Sequence, residues 1–306
     1  MRWDGKRALV TGGAGFIGMN VVRELCAANA QVTVMDDFSE APRSNLSGLT
    51  VDIVERSVMD ESSFAKLPEI DYVFHLASPS SVILYGKEPQ KCFSTTTISM
   101  INVLRYAKAY GVRKIVYPSS GSVYGRASPP QKETTIPRPT NLYAVAKLAC
   151  EQMLEGTEEP PPTTMLRIFA GYGPGEAHKG QIASPVGLFL NSIVSNERPV
   201  IYGDGSQSRD FIYIGDVVKI MMRAAESSMV GVVNAGSGEA HTFNEVVEML
   251  NRRLGKNITP QYINKPINYL ERTHADTSLM KKTFGISPIS LEEGIDKYCS
   301  SILLAT

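Results

Sequence analysis

Arg7-Ala8-Leu9-Val10-Thr11-Gly12-Gly13-Ala14-Gly15-Phe16-Ile17-Gly18 is the stretch whose reading decides the fold. Ala8 to Val10 is a short apolar run of the kind that forms a strand buried in a parallel sheet. Glycines follow at 12, 15 and 18, and from Met19 to Leu25 a helical period puts Val21, Val22 and Leu25 on one face. Strand, glycine turn and helix in succession fit a dinucleotide site. Gly12 allows the tight turn, Gly15 lets backbone approach a pyrophosphate, and Gly18 lets helix and strand pack closely. The helix N-terminus offers free N–H groups and positive dipole to the phosphates. The spacing is Gly-x-x-Gly-x-x-Gly, not the commoner Gly-x-Gly-x-x-Gly. A tight strand–helix turn without a ligand would use the same residues.

What lies downstream decides between the two. Gln31 to Met35 reads as a second strand ending in Asp36-Asp37. A carboxylate at Asp36 can accept hydrogen bonds from ribose hydroxyls and would repel a 2′-phosphate, which favours NAD over NADP. Arg43, in the following loop, carries little weight as a 2′-phosphate ligand. Further strands are expected at 51–55, 72–77, 114–117 and 164–169, with helices at 98–110 and 142–154. Alternation this regular predicts an α/β fold with a doubly wound parallel sheet. The fourth strand ends in Leu76-Ala77-Ser78, small enough for a cofactor to pass at a strand carboxyl end. His75, inside that apolar run, reads as a core histidine. After residue 170 the pattern loosens and Gly and Pro become frequent. Residues 1–170 are therefore expected to bind the cofactor and carry the catalytic groups. Residues 171–306 should mainly bind substrate, with segments returning to the first domain.

Composition excludes several classes. Lys plus Arg and Asp plus Glu are both 31, so nothing argues for nucleic acid or an anionic membrane surface. No apolar run approaches the roughly 20 residues of a membrane span, and the start of the chain shows no secretory pattern. A cytoplasmic location is expected. Cys26, Cys92, Cys150 and Cys299 form no C-x-x-C pair, so reduced thiols are expected and no metal site.

Tyr143 and Lys147 are four apart on the 142–154 helix and share a face. A tyrosine titrates near roughly 10, and a neighbouring ammonium together with a cationic nicotinamide should bring that value down. Lys147 can also hydrogen-bond a nicotinamide ribose, and Ser120, ending the fifth strand, can hold a substrate oxygen against the phenol.

With these segments in hand, the chain resembles the extended short-chain dehydrogenase/reductases, specifically the nucleotide-sugar epimerases and dehydratases. The matching stretches are Thr11 to Gly18, His75-Leu76-Ala77-Ser78, Ser119-Ser120-Gly121-Ser122-Val123-Tyr124-Gly125, and Tyr143 with Lys147. Tyr172-Gly173-Pro174-Gly175, Gly203-Asp204-Gly205, Arg209-Asp210-Phe211, Asp216-Val217-Val218 and Asn234-Ala235-Gly236-Ser237-Gly238 follow in the family's order. The resemblance implies a Rossmann domain, NAD as cofactor, a nucleotide-diphosphate sugar (a UDP-sugar first among them) as substrate, and a homodimer formed through the helices near 98–110 and 142–155. It implies Gly12, Gly15, Phe16, Ile17, Gly18, Asp36, Leu76, Ala77, Ser78, Tyr143 and Lys147 around the cofactor. Ser120, Ser122, Tyr143, Arg209 and Lys179 are implied around the substrate, with Arg209 gripping the diphosphate. Tyr143 would take a proton from a sugar hydroxyl while the carbon passes hydride to NAD+, and in an epimerase the keto-sugar turns over and takes the hydride back on its other face.

The dehydratases of this family carry an Asp-Glu pair where Gly121 and Ser122 stand here, and neither residue moves a proton as a carboxyl does. That favours C4 epimerisation over dehydration, decarboxylation or reduction, and a family member that binds NAD without turnover is the reading of a different class. Three positions depart from the family pattern: Ala170 replaces an Asn, Ser94 to Thr97 replaces an Asn-rich stretch, and Ser57 replaces an adenine-side Asp.

Overall fold

The computed structural model describes residues 3–266 and 269–303. In chain order the first elements are β1 (Arg7–Thr11), α1 (Phe16–Ala27), β2 (Gln31–Met35), β3 (Asp52–Val54), β4 (Tyr72–His75), α2 (Val82–Lys87), α3 (Pro89–Tyr110) and β5 (Lys114–Ser120). α4 (Leu142–Glu155), β6 (Thr163–Ile168), β7 (Ala170–Tyr172), α5 (Pro185–Val194), β8 (Val200–Tyr202), β9 (Ser208–Tyr213) and α6 (Ile214–Glu226) follow. The chain then adds β10 (Gly231–Ala235), β11 (Ala240–Thr242), α7 (Phe243–Leu254), β12 (Gln261–Ile263), α8 (Ser278–Phe284) and α9 (Leu291–Leu303).

Seven strands form one sheet in the order β10-β6-β5-β4-β1-β2-β3, every pair parallel. Successive residues of β1 serve opposite layers. Ala8 and Val10 pack with Val21, Val22 and Leu25 of α1 and with Val217, Ile220 and Met221 of α6. Leu9 packs on the other face with Met100, Val103 and Tyr106 of α3 and Cys150 and Leu154 of α4. Burial on both faces is why the strands read as continuous apolar runs. The chain winds from β1 outward to β2 and β3, then crosses back to β4 on the far side of β1. The resulting switch point lies between the ends of β1 and β4, where open α/β sheets bind ligands.

A second core gathers Tyr172, Val186, Phe189, Leu190, Phe211, Phe243, Val246 and Tyr298 around α5, α7 and α9. Two small sheets, β11-β9-β7 and β12-β8, belong to this part of the chain. β10 returns to the edge of the main sheet beside β6, in register Val233 to Leu166. All four cysteines are free, and no helix among the described residues is long and apolar enough to cross a membrane.

Two helix starts differ from the sequence reading. α1 begins at Phe16 rather than Met19, because Gly15 is already an extended N-cap. α3 begins at Pro89, nine residues before the expected start. Proline fits the first helical turn, where its missing N–H costs nothing. The polar run Ser94 to Thr97 hides the helix by its composition, yet its two buried hydroxyls are satisfied: Thr97 Oγ1 donates to the Phe93 carbonyl at 2.9 Å, and Thr96 Oγ1 meets Tyr85 Oη at 2.6 Å.

Candidate active site

A cleft of about 570 Å³ opens at the switch point. Its floor is the glycine turn. Gly12 has φ +66°, and a Cβ there would lie 2.7 Å from the Ala77 nitrogen, so the turn sits directly on the end of β4. A Cβ at Gly18 would run into the Gly12 carbonyl oxygen, which only glycine avoids. α1 starts behind this turn with no side-chain cap and no acid in its first turn, leaving its leading N–H groups toward the cleft without a side-chain partner.

Buried polar groups hold the turn to the sheet. Thr11 Oγ1 accepts from the Ala77 N–H at 3.2 Å and lies 2.8 Å from His75 Nδ1. His75 Nε2 reaches Ser99 Oγ of α3 at 3.2 Å. Burial, with Lys147 adding to it, depresses the His75 imidazole to about 3, so it stays neutral and structural. Asp36 accepts from the Ala14 N–H and the Phe38 N–H, each at 2.9 Å, with one carboxylate oxygen apiece. Burial raises its pKa, and those two hydrogen bonds oppose the rise. Each oxygen keeps a second acceptor direction, and Asp36 lines the cleft. Arg43 is committed elsewhere, paired with Glu55 and set 5.3 Å over the Phe38 ring.

Ser120, Tyr143 and Lys147 line the same cleft with Leu76, Ala77 and Ser78. Asn141 caps α4 by accepting from the Ala144 N–H at 2.9 Å, which fixes the helix start and hence the Tyr143 and Lys147 face. Ser120 ends β5 and accepts from the Ser122 N–H at 3.1 Å, so its own proton remains to donate. Lys147 is buried; its ammonium donates to Ser78 Oγ and to the Pro118 carbonyl, both at 2.9 Å, and lies 4.8 Å from the Tyr117 ring centroid. Burial lowers its pKa to about 8, with Cys150 and Glu151 opposing.

Burial raises the pKa of the Tyr143 phenol, and a hydrogen bond from Ser120 partly offsets it; the expected lowering calls for the cationic nicotinamide as well as Lys147. The Lys147 ammonium points to Ser78 and Pro118.

A family model described as NAD dependent epimerase/dehydratase family matches residues 8–236. The chain belongs to that family. Its cofactor is NAD. The crystal structure of a UDP-glucose 4-epimerase with UDP-glucose from Thermotoga maritima superposes with a TM-score of 0.93 at 32% identity, covering 98% of this chain and 99% of that one. A UDP-glucose 4-epimerase of Mycolicibacterium smegmatis is 30% identical over 95% of this chain and 96% of its own length. A UDP-glucuronic acid decarboxylase 1 of Danio rerio is 29% identical over 96% of this chain and 72% of its own.

The family cofactor fits the residues present. A close-packed glycine cradle, an uncapped helix start and a carboxylate at the β2 end stand along one cleft, which Ser57, Val58 and Met59 also line. Ser57, which replaces the family's acid, lines the same cleft.

Two expected substrate residues lie apart from this family cleft. Ser122 contributes its backbone N–H to Ser120 and does not line the cleft. Nor does Arg209, whose guanidinium donates to the carbonyls of Ser208, Leu270 and Glu271 at 2.9, 2.6 and 3.3 Å. It sits 5.4 Å from both the Phe243 and Tyr269 ring centroids, and burial lowers its pKa. Asp210 is no partner to it, since its carboxylate accepts from Ser237, Gly238 and Ala275.

Lys179 does line the cleft, from a segment between β7 and α5. Sequence reasoning missed the buried pair behind Ser120. Arg167 donates to Glu151 through Nε at 3.1 Å and Nη2 at 2.6 Å, and Ser119 Oγ donates to the same carboxylate. Glu151 falling four residues after Lys147 was the available signal.

Proposed function

We propose that the chain is an NAD-dependent nucleotide-sugar 4-epimerase, with a UDP-sugar as its substrate. The observation that carries this reading is what surrounds Tyr143. Ser120 and Lys147 join it in the cleft, while the only carboxylates lining that cleft among the described residues are Asp36, Asp37 and Glu40, from the β2 end and the loop after it. Where the dehydratases carry an acid, a Cβ on Gly121 would come within 3.1 Å of the Phe169 ring. Among the described residues no carboxyl stands beside the phenol, and C4 epimerisation needs none.

NAD, when bound, supplies the carbon that accepts and returns a hydride. The chain's part is the proton. Tyr143 takes it from the 4-hydroxyl as the carbon is oxidised and gives it back when the carbon is reduced. Ser120 donates a hydrogen bond that favours the phenolate. Lys147 holds a positive charge beside Ser78, within reach of a ribose. Arg209, set outside that cleft, would hold the substrate diphosphate only where the nucleotide extends beyond it, exchanging neutral carbonyl partners for anionic phosphate oxygens. Incubation with UDP-glucose and UDP-N-acetylglucosamine, followed by NMR and mass spectrometry, should give the C4 epimer of unchanged mass. Loss of water or carbon dioxide would overturn the assignment.

A homodimer is part of the reading. Ile98 and Ile101 on α3 and Leu142 and Val145 on α4 are each 37–39% exposed, and the two helices pack side by side. Pairing this face with a second copy would bury an apolar four-helix contact. Light scattering should give a dimer, and the double change Ile101→Glu with Val145→Glu should give a monomer. A monomeric unaltered chain contradicts it.

A further inference from the structure

The segment from Gly173 to Ile182 crosses the glycine turn and is stitched to it. Asn20 Nδ2 of α1 donates to the Pro174 carbonyl at 3.3 Å. Asn45 Nδ2 donates to the Ala14 carbonyl at 2.8 Å and meets His178 Nδ1 at 3.3 Å. A Cβ on Gly175 would touch Met19 Sδ at 3.1 Å, so the strap rides against α1.

From this strap Lys179 reaches into the cleft. Its ammonium lies 5.5 Å from the ring centroid of Phe16, the first residue of α1. No carboxylate among the described residues forms a salt bridge with it. Glu176, the acid on its own segment, is committed to the Gly173 N–H and to the N–H and hydroxyl of Ser184. A cation and an uncapped helix N-terminus therefore stand on the same cleft, and the one acid bonded to the turn, Asp36, is held by the Ala14 and Phe38 N–H groups and forms no salt bridge with Lys179. Two positive ends held together in a half-buried site repel unless a negative group joins them.

We propose that Lys179 is the counter-charge for the pyrophosphate of the bound dinucleotide, and that the 173–182 strap closes over those phosphates. The proposal rests on the cofactor placement above and moves Lys179 from the substrate side to the cofactor side. It makes the substrate-binding part of the chain a clamp on a cofactor that ends each cycle as it began and has no need to leave.

Calorimetry on the full chain tests this with four probes: NAD, ADP-ribose, adenosine, and UDP added to NAD-saturated protein. In Lys179→Met, NAD and ADP-ribose should bind roughly ten- to a hundredfold more weakly, the range of a lost hydrogen bond to a charged group. Adenosine and UDP should bind as before, and Lys179→Arg should recover most of the loss. Weakened UDP with unchanged NAD would assign the lysine to the substrate diphosphate instead. Equal weakening of all four probes would mean a collapsed strap, and no change in any would mean an idle lysine; each overturns the proposal. No readout involves turnover, so the result stands apart from the epimerase assignment.

Discussion

Tyr143→Phe loses about a thousandfold in turnover, within the range that a positioned acid–base group contributes, and keeps NAD bound. The substitution removes one oxygen and leaves the ring, so packing against Tyr85, 5.6 Å away centroid to centroid, survives. What disappears is the atom that moves the proton and accepts the Ser120 hydrogen bond. Burial holds the phenol in its protonated form when the cleft is empty, so the ligand-free enzyme is not a standing base. The reaction step must coincide with the arrival of positive charge in the cleft, which ties proton removal to a loaded site. Single-turnover kinetics and bound-NAD content check this. Near-normal turnover in the variant would remove Tyr143 from its role.

The second large effect is on stability. Glu151→Ala should cost about 3–5 kcal/mol, the usual result of stripping one partner from a buried ion pair. The Arg167 and Glu151 side chains are 5% and 2% exposed, and their two hydrogen bonds are near-parallel in function. Arg167 would keep the Tyr124 ring at 4.7 Å but no acid. Ser119 would lose its acceptor one residue before Ser120, so activity should fall along with stability. The double change Glu151→Met with Arg167→Met should recover much of the stability, because it leaves no orphaned charge. Urea denaturation measures both. A loss under about 1 kcal/mol in the single variant would place the pair among interactions worth no more than an exposed one.

Much of this molecule was legible in its residues, and the reasons differ by element. The first strand and glycine turn announced themselves because a strand buried on both faces and a turn against β4 tolerate few alternatives. Tyr143 and Lys147 were legible because four residues on a helix is one face. α3 was truncated because its first turns carry hydroxyls instead of an apolar period. The C-terminal part was opaque because β7, β8, β11 and β12 are three residues long, too short to show alternation. The charge partners of Lys147, Arg209 and Lys179 are carbonyls, a hydroxyl and aromatic rings, and residue types alone do not reveal these. The raised pKa of Tyr143 comes from the burial of its phenol, which spacing on a helix does not reveal.

The central claim is tested most directly by running the reaction in D2O on a UDP-sugar and reading the product by NMR. A phenol that moves only the hydroxyl proton, with the carbon-bound hydrogen kept out of water, predicts an epimer carrying protium at C4 and at C5. Deuterium at C5, or a product lighter by water or carbon dioxide, would show a second acid–base group at work and contradict the account.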